Sequence, residues 1–373
     1  MPITIKDVRS KKDLRVFIHL PEKIHQNHAN WLPPLYADER SFFNPEKNRA
    51  FQYCETCLLL AVKNGEPVGR IMGIINHRSN DLHGEKNARF GFMECPESQE
   101  LANMLLQSIE SWARSNRMIK VVGPMGFSDQ DPEGFMIEGF DKTPTVACTY
   151  NLDYMNRLVI NEGYQKEVDY VVYKVEVPEQ IPENQLRVYS RMLKRANFKI
   201  VEFSRKKFLK PFIRPVFSLM NECFKDIYGY VPYDEQEMDE LAKRYFFIVD
   251  PRFIKVVFDR NDVLSGFIIG IPNLSEGIRK SKGRLFPLGI LQIIHAAKKT
   301  KQLDLLLGGV KEKYRGCGLD VMLGLRMIVS AQKAGFKWID SHRELETNVK
   351  MRAEMEHWGG SVYKRYRIYQ KKI

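Results

Sequence analysis

Two glycines in a polar turn, Gly316 and Gly318, stand directly after an apolar segment and directly before the pattern of an apolar helix. Glycine removes the side chain where the backbone bends, so that successive N–H groups can converge on one point. The first turn of the helix that follows adds N–H groups without intrahelical partners and the positive end of the helix dipole. The sequence therefore predicts an anion-binding turn, most suited to a diphosphate.

The spacing of this turn excludes two common phosphate loops. A Walker A loop needs Lys and Ser/Thr after its last glycine, whereas Gly318 is followed by Leu319 and Asp320. A dinucleotide-binding turn needs a third glycine at the position of Val321. The turn must therefore belong to another class of anion site.

The segment 310–320 resembles the acetyl-CoA loop of the GNAT N-acetyltransferase superfamily, Arg/Gln-x-x-Gly-x-Gly/Ala, and departs from it at the final position, where Asp320 replaces glycine or alanine. This resemblance implies that acetyl-CoA or a longer acyl-CoA is the acyl donor and that no metal takes part. The residues that it assigns to the cofactor are Val310, Arg315, Gly316, Cys317, Gly318, Leu319 and Asp320.

The element order after the turn strengthens the resemblance. A helix, a strand beginning at Trp338, a second helix and a final strand follow in the order of the second half of a GNAT domain. Glu346 and Asn348 occupy positions that look like family positions, and the resemblance adds Asn348 to the cofactor contacts. It also implies that the thioester lies between two splayed parallel strands, where the N–H near Val310 polarises the thioester carbonyl.

An amine that attacks the thioester must first lose a proton, and the stretch after Trp338 offers the acids and bases. Asp340, His342 and Glu346 share one parity with Glu344, so an extended strand would place all four on one side. We expect Glu346 to be the catalytic base, with His342 and Asp340 as the next candidates. The alternative is that the strand ends earlier and the acids lie in a solvated loop.

One family feature is missing from this region. The tyrosine that acts as general acid in many GNAT enzymes would stand at Met355. Tyr366 or Tyr369 could substitute for it, or the thiolate could leave unassisted. Cys317 has no paired base in the sequence, so it is interpreted as a small filler and not as a nucleophile.

An internal similarity predicts that the chain is duplicated. Segments 61–76 and 258–273 share six identical residues without a gap, and each has the pattern of a β-hairpin. We predict an α/β (α+β) fold with two tandem GNAT-like domains, 1–178 and 183–373, whose mixed sheets are flanked by helices. Prolines at both ends of 178–182 indicate a linker.

The two predicted domains differ in their chemistry. Where the first domain should carry a CoA loop it reads Glu-Cys-Pro-Glu-Ser at 94–98, whose two acids would repel phosphate, so we expect no CoA site there. Its long loop at 123–140 is instead interpreted as one wall of the acceptor pocket, or as a cover for a hydrophobic edge. The predicted acceptor contacts are Asp131, Glu138, Tyr150 and Asn151.

The composition of the chain limits the cellular compartment and the kinds of partner that we expect. The chain has 373 residues, of which 44% are hydrophobic, and its charged start predicts no secretory signal. Six cysteines without zinc spacing suggest free thiols in the cytoplasm. The net charge of +12 favours an anionic partner, such as cofactor phosphates or an acidic membrane surface, and no motif supports nucleic-acid binding.

The segment 277–301 inserts an apolar stretch between clusters of Lys and Arg. This composition suits a peripheral element on the inner face of an anionic membrane or the mouth of a lipid tunnel, and equally an ordinary core helix with solvated flanks. The whole chain resembles a bacterial tandem-GNAT branch that includes ceramide synthases, which N-acylate a sphingoid base from an acyl thioester.

Two functions of different class remain open. The first is acyl-CoA-dependent N-acyl transfer to a small-molecule or lipid amine. The second is a non-catalytic module that binds CoA or lipid, which Met355 and Asp320 favour. Transfer to a protein or tRNA amine is a third, weaker interpretation.

Overall fold

The structure, a computed structural model, describes residues 2–181, 183, 185–187, 189–190, 198–246 and 248–373. The chain divides into two compact units. Unit 1 consists of Met1–Val171, Leu274–Ala296 and Tyr363–Ile373, and unit 2 consists of Val172–Asn273 and Ala297–Val362.

Unit 1 is built from a sheet with helices packed against it. Its first strands are β1 (Ile3–Asp7), β2 (Cys54–Lys63), β3 (Glu66–Asn76), β4 (Asn87–Glu94), β5 (Lys120–Gly123) and β6 (Phe135–Glu138). Its first helices are α1 (Lys11–Ile24), α2 (Tyr36–Phe42), α3 (His77–His83), α4 (Gln99–Ser115) and α5 (Tyr154–Asn161). Strand β7 (Gln165–Glu176) is divided between the two units.

Unit 2 repeats this plan. Its elements are β8 (Lys199–Glu202), α6 (Ile213–Phe224), α7 (Glu235–Tyr245), β9 (Ile254–Phe258) and β10 (Leu264–Pro272). Helices α8 (Ser275–Lys280) and most of α9 (Gly289–Lys299) are grouped with unit 1. Unit 2 continues with β11 (Gln302–Val310), α10 (Leu319–Lys333), β12 (Trp338–Leu345) and α11 (Val349–His357), and most of the last strand, β13 (Ser361–Lys372), belongs to unit 1.

The two units have the same strand order. In unit 1 the order is β1-β2-β3-β4-β5-β13, with β6 paired to β13, and in unit 2 it is β8-β9-β10-β11-β12-β7. Each order contains one short parallel pairing, β4 with β5 and β11 with β12. The predicted α/β class, with a mixed sheet flanked by helices in each repeat, is confirmed.

The compact units do not have the bounds that the sequence predicted. The strand that ends the second repeat, β13, completes the sheet of unit 1, while the second half of β7 lies in unit 2. Main-chain hydrogen bonds depend on where a strand lies and not on its place in the chain, so a strand after a linker can complete either sheet. The domain boundary at 178–182 stays a prediction about the repeats, and Pro182 lies outside the described residues.

Both predicted hairpins are present. In the first, Asn64 and Gly65 turn with φ of 57° and 83° between β2 and β3, and Lys63 pairs with Glu66. In the second, Asp262 has a φ of 55° between β9 and β10. Positive φ at such positions is what tight hairpins require, which is why Asn, Asp and Gly stand there.

The helices that cover the sheets bury one side of the helix, and some of them have a side-chain cap. In α4 the Ser98 hydroxyl caps the first turn, and Leu105 and Ile109 are buried in the core of unit 1. In unit 2, α10 buries Leu319 and Met322 in a core cluster that includes the β9 side chain Val257. No helix in the described part of the chain is long and apolar enough to cross a bilayer.

Truncating a buried side chain of β13 tests whether that strand is part of a core. Ile368 is fully buried, so Ile368→Ala should lower the free energy of unfolding by about 2–4 kcal/mol through lost burial and the cavity left behind. Urea unfolding measures this change. The control Val349→Ala changes a side chain that is 71% exposed and should stay within about 0.5 kcal/mol of the wild type. Equal stability of the two variants would contradict the burial of β13.

Candidate active site

The turn between β11 and α10 has the backbone that an anion site requires. After Val310 a short 3₁₀ turn, Glu312–Tyr314, leads to two glycines in the left-handed region, Gly316 with φ of 76° and Gly318 with φ of 80°. A Cβ atom on Gly316 would meet nothing within 4 Å. Glycine is therefore needed at 316 for its backbone conformation and not for lack of space.

Some amides of this turn are used within it, and others have no acceptor. The N–H of Arg315 donates to the Glu312 carbonyl at 3.1 Å, and the N–H of Cys317 donates to the Tyr314 carbonyl at 3.1 Å. Among the described residues no acceptor faces the remaining amides, those of Gly316, Gly318, Leu319 and Asp320. This run of amides at the start of a 15-residue helix fits the diphosphate of CoA.

The Arg315 side chain holds the scaffold of the turn together. Its Nε donates to the Val310 carbonyl at 3.3 Å, and its Nη2 donates to the Cys223 carbonyl at the end of α6 at 3.2 Å. The arginine of the motif thus ties the end of β11 to α6. Of the predicted cofactor residues, Arg315 and Cys317 already use their amides within the turn, whereas the two glycines, Leu319 and Asp320 do not.

Cations surround the turn. Lys311 lies 3.4 Å from Glu222, and Lys313 lies 3.5 Å from Asp259. Glu312 and Asp320 are the two acidic residues of the segment 310–320, and the Asp320 Oδ1 accepts the Val321 N–H at 3.0 Å. The Asp320 carboxylate therefore caps the first turn of α10 itself, and its amide stays available.

Strands β11 and β12 pair only where they begin. Their parallel register runs from Gln302 with Trp338 to Asp304 with Asp340 and then ends. The later part of β11 continues along β10, so the two parallel strands splay apart, as the resemblance implies. The gap between them is where the thioester of a GNAT enzyme is held.

The N–H of Val310 points into this gap. The N–H of Lys311 donates to the Ser265 carbonyl on β10 at 2.9 Å. In an extended strand consecutive N–H groups point to opposite sides, so the N–H of Val310 faces away from β10 and toward β12. Val310 is thus placed to donate to a carbonyl oxygen held between the strands.

Strand β12 extends to Leu345, so the alternative that the strand ends early is wrong. The prediction that Asp340, His342, Glu344 and Glu346 all lie on one side of the strand is also wrong. His342 has a φ of 64°, and its N–H donates to the Asp340 Oδ1 at 2.8 Å. A residue in the left-handed region interrupts the alternation of a strand, so residues before and after His342 no longer share one parity. Asp340 is fully buried beside the register partner Asp304.

Glu344, which the sequence did not single out as the base, has the carboxyl best suited to proton transfer. Burial of this carboxyl raises the pKa of Glu344 to about 8, with no charged partner offsetting it, although part of the side chain reaches the surface. A carboxylate with a raised pKa is a stronger base than an ordinary one. The only signal in the sequence was the shared parity with Asp340.

Two further predicted residues have structural roles at the start of α11. The Asn348 side chain caps this helix by accepting the Met351 N–H at 3.3 Å. The Glu346 carbonyl accepts from Arg352 Nη1 at 3.0 Å. A cofactor role for Asn348 and a catalytic role for Glu346 stay predictions.

The position of the missing tyrosine, Met355, is buried. The two suggested substitutes, Tyr366 and Tyr369, both belong to unit 1. In unit 2 the hydroxyl of Tyr173 contacts α11, since it accepts from Arg352 Nε at 3.0 Å and donates to Glu356 at 2.9 Å. Spacing along the sequence could not reveal this contact between Tyr173 and α11, because Tyr173 is remote from α11 along the chain.

The predicted acceptor contacts lie in unit 1, and each has a partner there. The Asp131 carboxylate accepts the Ser128 N–H at 3.0 Å, and Glu138 lies 3.0 Å from Arg365 Nε. The Tyr150 hydroxyl donates to the Phe140 carbonyl at 3.2 Å, while the buried Asn151 binds both main-chain groups of Met136 on β6. Their role in acceptor binding stays a prediction.

Other chemistries are less well supported by the side chains. Within the described residues no group of three His, Cys, Asp or Glu side chains could hold a metal ion. None of the six cysteines, all of which lie in the described residues, forms a disulfide, and Cys317 is exposed on the turn. Burial raises the pKa of Cys57 to about 12 and of Cys223 to about 11, which makes these two thiols poor nucleophiles.

Some known proteins have the same fold, and two of them are similar in sequence over almost the whole length of this chain. No family model matches the chain. It is 28% identical to bacterial ceramide synthase of Caulobacter vibrioides over 100% of this chain and 98% of that protein. It is 25% identical to Protein YghO of Escherichia coli over 99% of this chain and 95% of that protein.

Solved structures with the same fold include a tandem GNAT protein from the clavulanic acid biosynthesis pathway. It has a TM-score of 0.57 at 11% identity and covers 100% of this chain and 98% of its own. A GCN5-related N-acetyltransferase from Sphaerobacter thermophilus has a TM-score of 0.54 at 13% identity, with 99% and 95% covered. The chain therefore has the fold of these tandem GNAT proteins. It is similar over its whole length to bacterial ceramide synthase.

Substituting Gly316 tests the CoA turn against a matched glycine. Gly316→Ala should weaken the affinity for CoA about fivefold or more, because alanine is strained at a φ of 76° and relaxation would move the free amides. Isothermal titration calorimetry measures this affinity. Gly359→Ala is the control, because Gly359 has the same φ of 76° and also has nothing within 4 Å of its Cβ position. If both variants bind CoA like the wild type, the turn is not the site.

Proposed function

We propose that the protein transfers an acyl group from acyl-CoA to an amine by direct attack of the amine on the thioester. The observation that carries this proposal is the set of amides without an acceptor among the described residues, those of Gly316, Gly318, Leu319 and Asp320, next to the gap between β11 and β12. Bound acyl-CoA would supply the thioester carbonyl that the amine attacks. The chain would supply amides for the phosphates and the Val310 N–H for the carbonyl oxygen.

Removing the amine proton is the step that most needs help. An alkylammonium has a pKa of about 10.4, so transfer of its proton to an ordinary glutamate costs ~8 kcal/mol. With the pKa of Glu344 raised to about 8, the cost falls to ~3 kcal/mol. We therefore propose Glu344 as the base, in place of Glu346, His342 or Asp340.

The proposed acceptor is a long-chain amine of the sphingoid type. Similarity to bacterial ceramide synthase over the whole length supports this acceptor. A further support is the apolar segment within 277–301, which has the composition of an element that meets lipid. Such an amine resides in a bilayer, so the protein would act as a peripheral protein at the cytoplasmic face of a membrane.

A second candidate function is a module that binds CoA or lipid without catalysis. Two observations favour it: Asp320 replaces the last small residue of the loop, and Met355 stands where the family has a tyrosine. Incubation of the protein with acyl-CoAs and sphinganine, with free CoA detected by a thiol reagent, separates the two functions. Release of CoA that depends on the amine supports transfer, and binding without release supports the module.

Replacing Glu344 tests the proposed base. Glu344→Gln should lower kcat about 10²-fold or more while the affinity for CoA stays unchanged, because the amide cannot accept the proton. Steady-state kinetics and calorimetry measure the two quantities. Glu346→Gln serves as the comparison, and the reverse ranking of the two variants would restore Glu346 as the base.

The pH dependence of the rate gives an independent test. Glu344 acts as a base only when ionised, so with its pKa at about 8 the wild-type rate should fall about tenfold per unit as pH drops below 8. In Glu344→Gln the break near pH 8 should disappear, and the residual rate should follow only the fraction of neutral amine, whose pKa is about 10.4. A wild-type rate that stays level from pH 8 down to pH 6 would contradict the proposal.

A further inference from the structure

The loop between α8 and α9 and the first turns of α9, which belong to unit 1, expose a group of large apolar side chains. Five large apolar side chains between 286 and 294 face solvent: Phe286 is 79% exposed, Leu288 60%, Ile290 39%, Leu291 63% and Ile294 47%. Large apolar side chains that are exposed singly are common, but a group on one short segment usually marks a binding surface. We call this group the apolar face.

The exposed apolar side of α9 is not the side by which this helix packs against the rest of the protein. Helix α9 is anchored by its opposite side, where Ile293 and Ala296 are buried. Gly277 of α8 makes this close packing achievable, since a Cβ atom there would lie 2.5 Å from the Ile293 Cα. The interpretation of this segment as an ordinary core helix is therefore wrong, because its helix packs by one side and presents the other to solvent.

Positive charge frames the apolar face on both sides. The segment 277–301 contains no acidic residue. Its basic residues before the apolar face are Arg279, Lys280, Lys282 and Arg284, and Lys298 and Lys299 stand in the last turn of α9. Lys280 and Arg284 pair with Glu276 and Glu22. Within the described residues, no ion pair is recorded for Lys282, Lys298 or Lys299.

This pattern of charge selects one kind of occupant. A second copy of the chain, docked face to face, would bring the same cations together, and like charges desolvated at an interface repel. A bilayer with anionic lipids accepts apolar side chains among its acyl chains and holds lysines near its phosphates. We propose that the apolar face and its lysines dock the protein on an anionic membrane surface.

The geometry defines how the segment would lie. Helix α9 would rest in the plane of the interface, with Ile290, Leu291 and Ile294 toward the acyl chains. Phe286, the most exposed of the five, precedes the helix and would reach furthest into the lipid. The docking proposal rests on the proposed function, because the long-chain amine acceptor would be taken from the bilayer on which the protein docks.

Sedimentation with vesicles tests the docking without any need for catalysis. The probes are phosphatidylcholine vesicles with and without roughly one third phosphatidylglycerol. The wild type should bind the anionic vesicles, and the double variant Phe286→Ser, Leu291→Ser should bind them at least about tenfold more weakly. The matched control Leu82→Ser, Ile160→Ser changes two side chains of unit 1 that are 53% and 50% exposed but lie outside the segment, and it should bind like the wild type.

The electrostatic part has its own variant. Lys282→Gln, Lys298→Gln and Lys299→Gln together should weaken binding to the anionic vesicles, and about 0.5 M salt should weaken binding of the wild type. Transfer to sphinganine presented in detergent micelles, without vesicles, should be unchanged in every variant. Absence of this transfer in the wild type would contradict the proposed function but not the docking.

Three results would overturn the docking. The first is a wild type that binds neutral and anionic vesicles equally or binds neither. The second is a double serine variant that binds as tightly as the wild type. The third is a concentration-dependent dimer in sedimentation velocity that the double serine variant abolishes, which would make the apolar face an interface between two copies.

Discussion

The parallel pairing of β11 with β12 ends after Asp304 and Asp340, and the candidate site depends on this early end. If the ladder continued, the N–H of Val310 would be used in the sheet and no gap would open for a thioester. Because β11 keeps its antiparallel partner β10 along its whole length, the strand stays ordered while its other edge is released. An edge of unpaired amides inside a fold is costly unless a ligand binds there, which makes it a natural binding site.

The turn that follows β11 likewise combines amides that are bonded within the protein with amides that are left for a ligand. Some of its amides close the turn on itself, and Arg315 holds its ends by binding two carbonyl groups, so the remaining amides are presented by a rigid frame. A motif arginine in a phosphate loop invites the interpretation that its guanidinium meets the phosphate. In this structure the guanidinium organises the loop, and the backbone and the helix N-terminus provide the positive potential.

The two repeats have diverged around a common plan. Both contain a short parallel pair, β4 with β5 and β11 with β12, yet among the described residues only the second repeat carries a glycine turn after the first strand of that pair. At the corresponding point of unit 1 the strand ends at Glu94, whose carboxylate lies 2.7 Å from His25 Nε2. The pKa of Glu94 is lowered by this histidine and by Arg70 in spite of burial, so an ionised carboxylate with its own partners stands where unit 2 has the glycine turn.

Local sequence was enough to predict the hairpins, a capped helix such as α4 and the glycine turn, because each depends on residues close together in the chain. Asn64 and Gly65 form a hairpin turn, Ser98 caps α4, and Gly316 and Gly318 form the glycine turn. Tertiary structure decided what depends on surroundings. The raised pKa of Glu344 follows from burial in the folded chain. The left-handed φ of His342 changes the alternation of side chains along β12, and β13 completes the sheet of unit 1 instead of that of its own repeat. Desolvation and strand partnership arise only when remote segments meet, so no spacing along the chain encodes them directly.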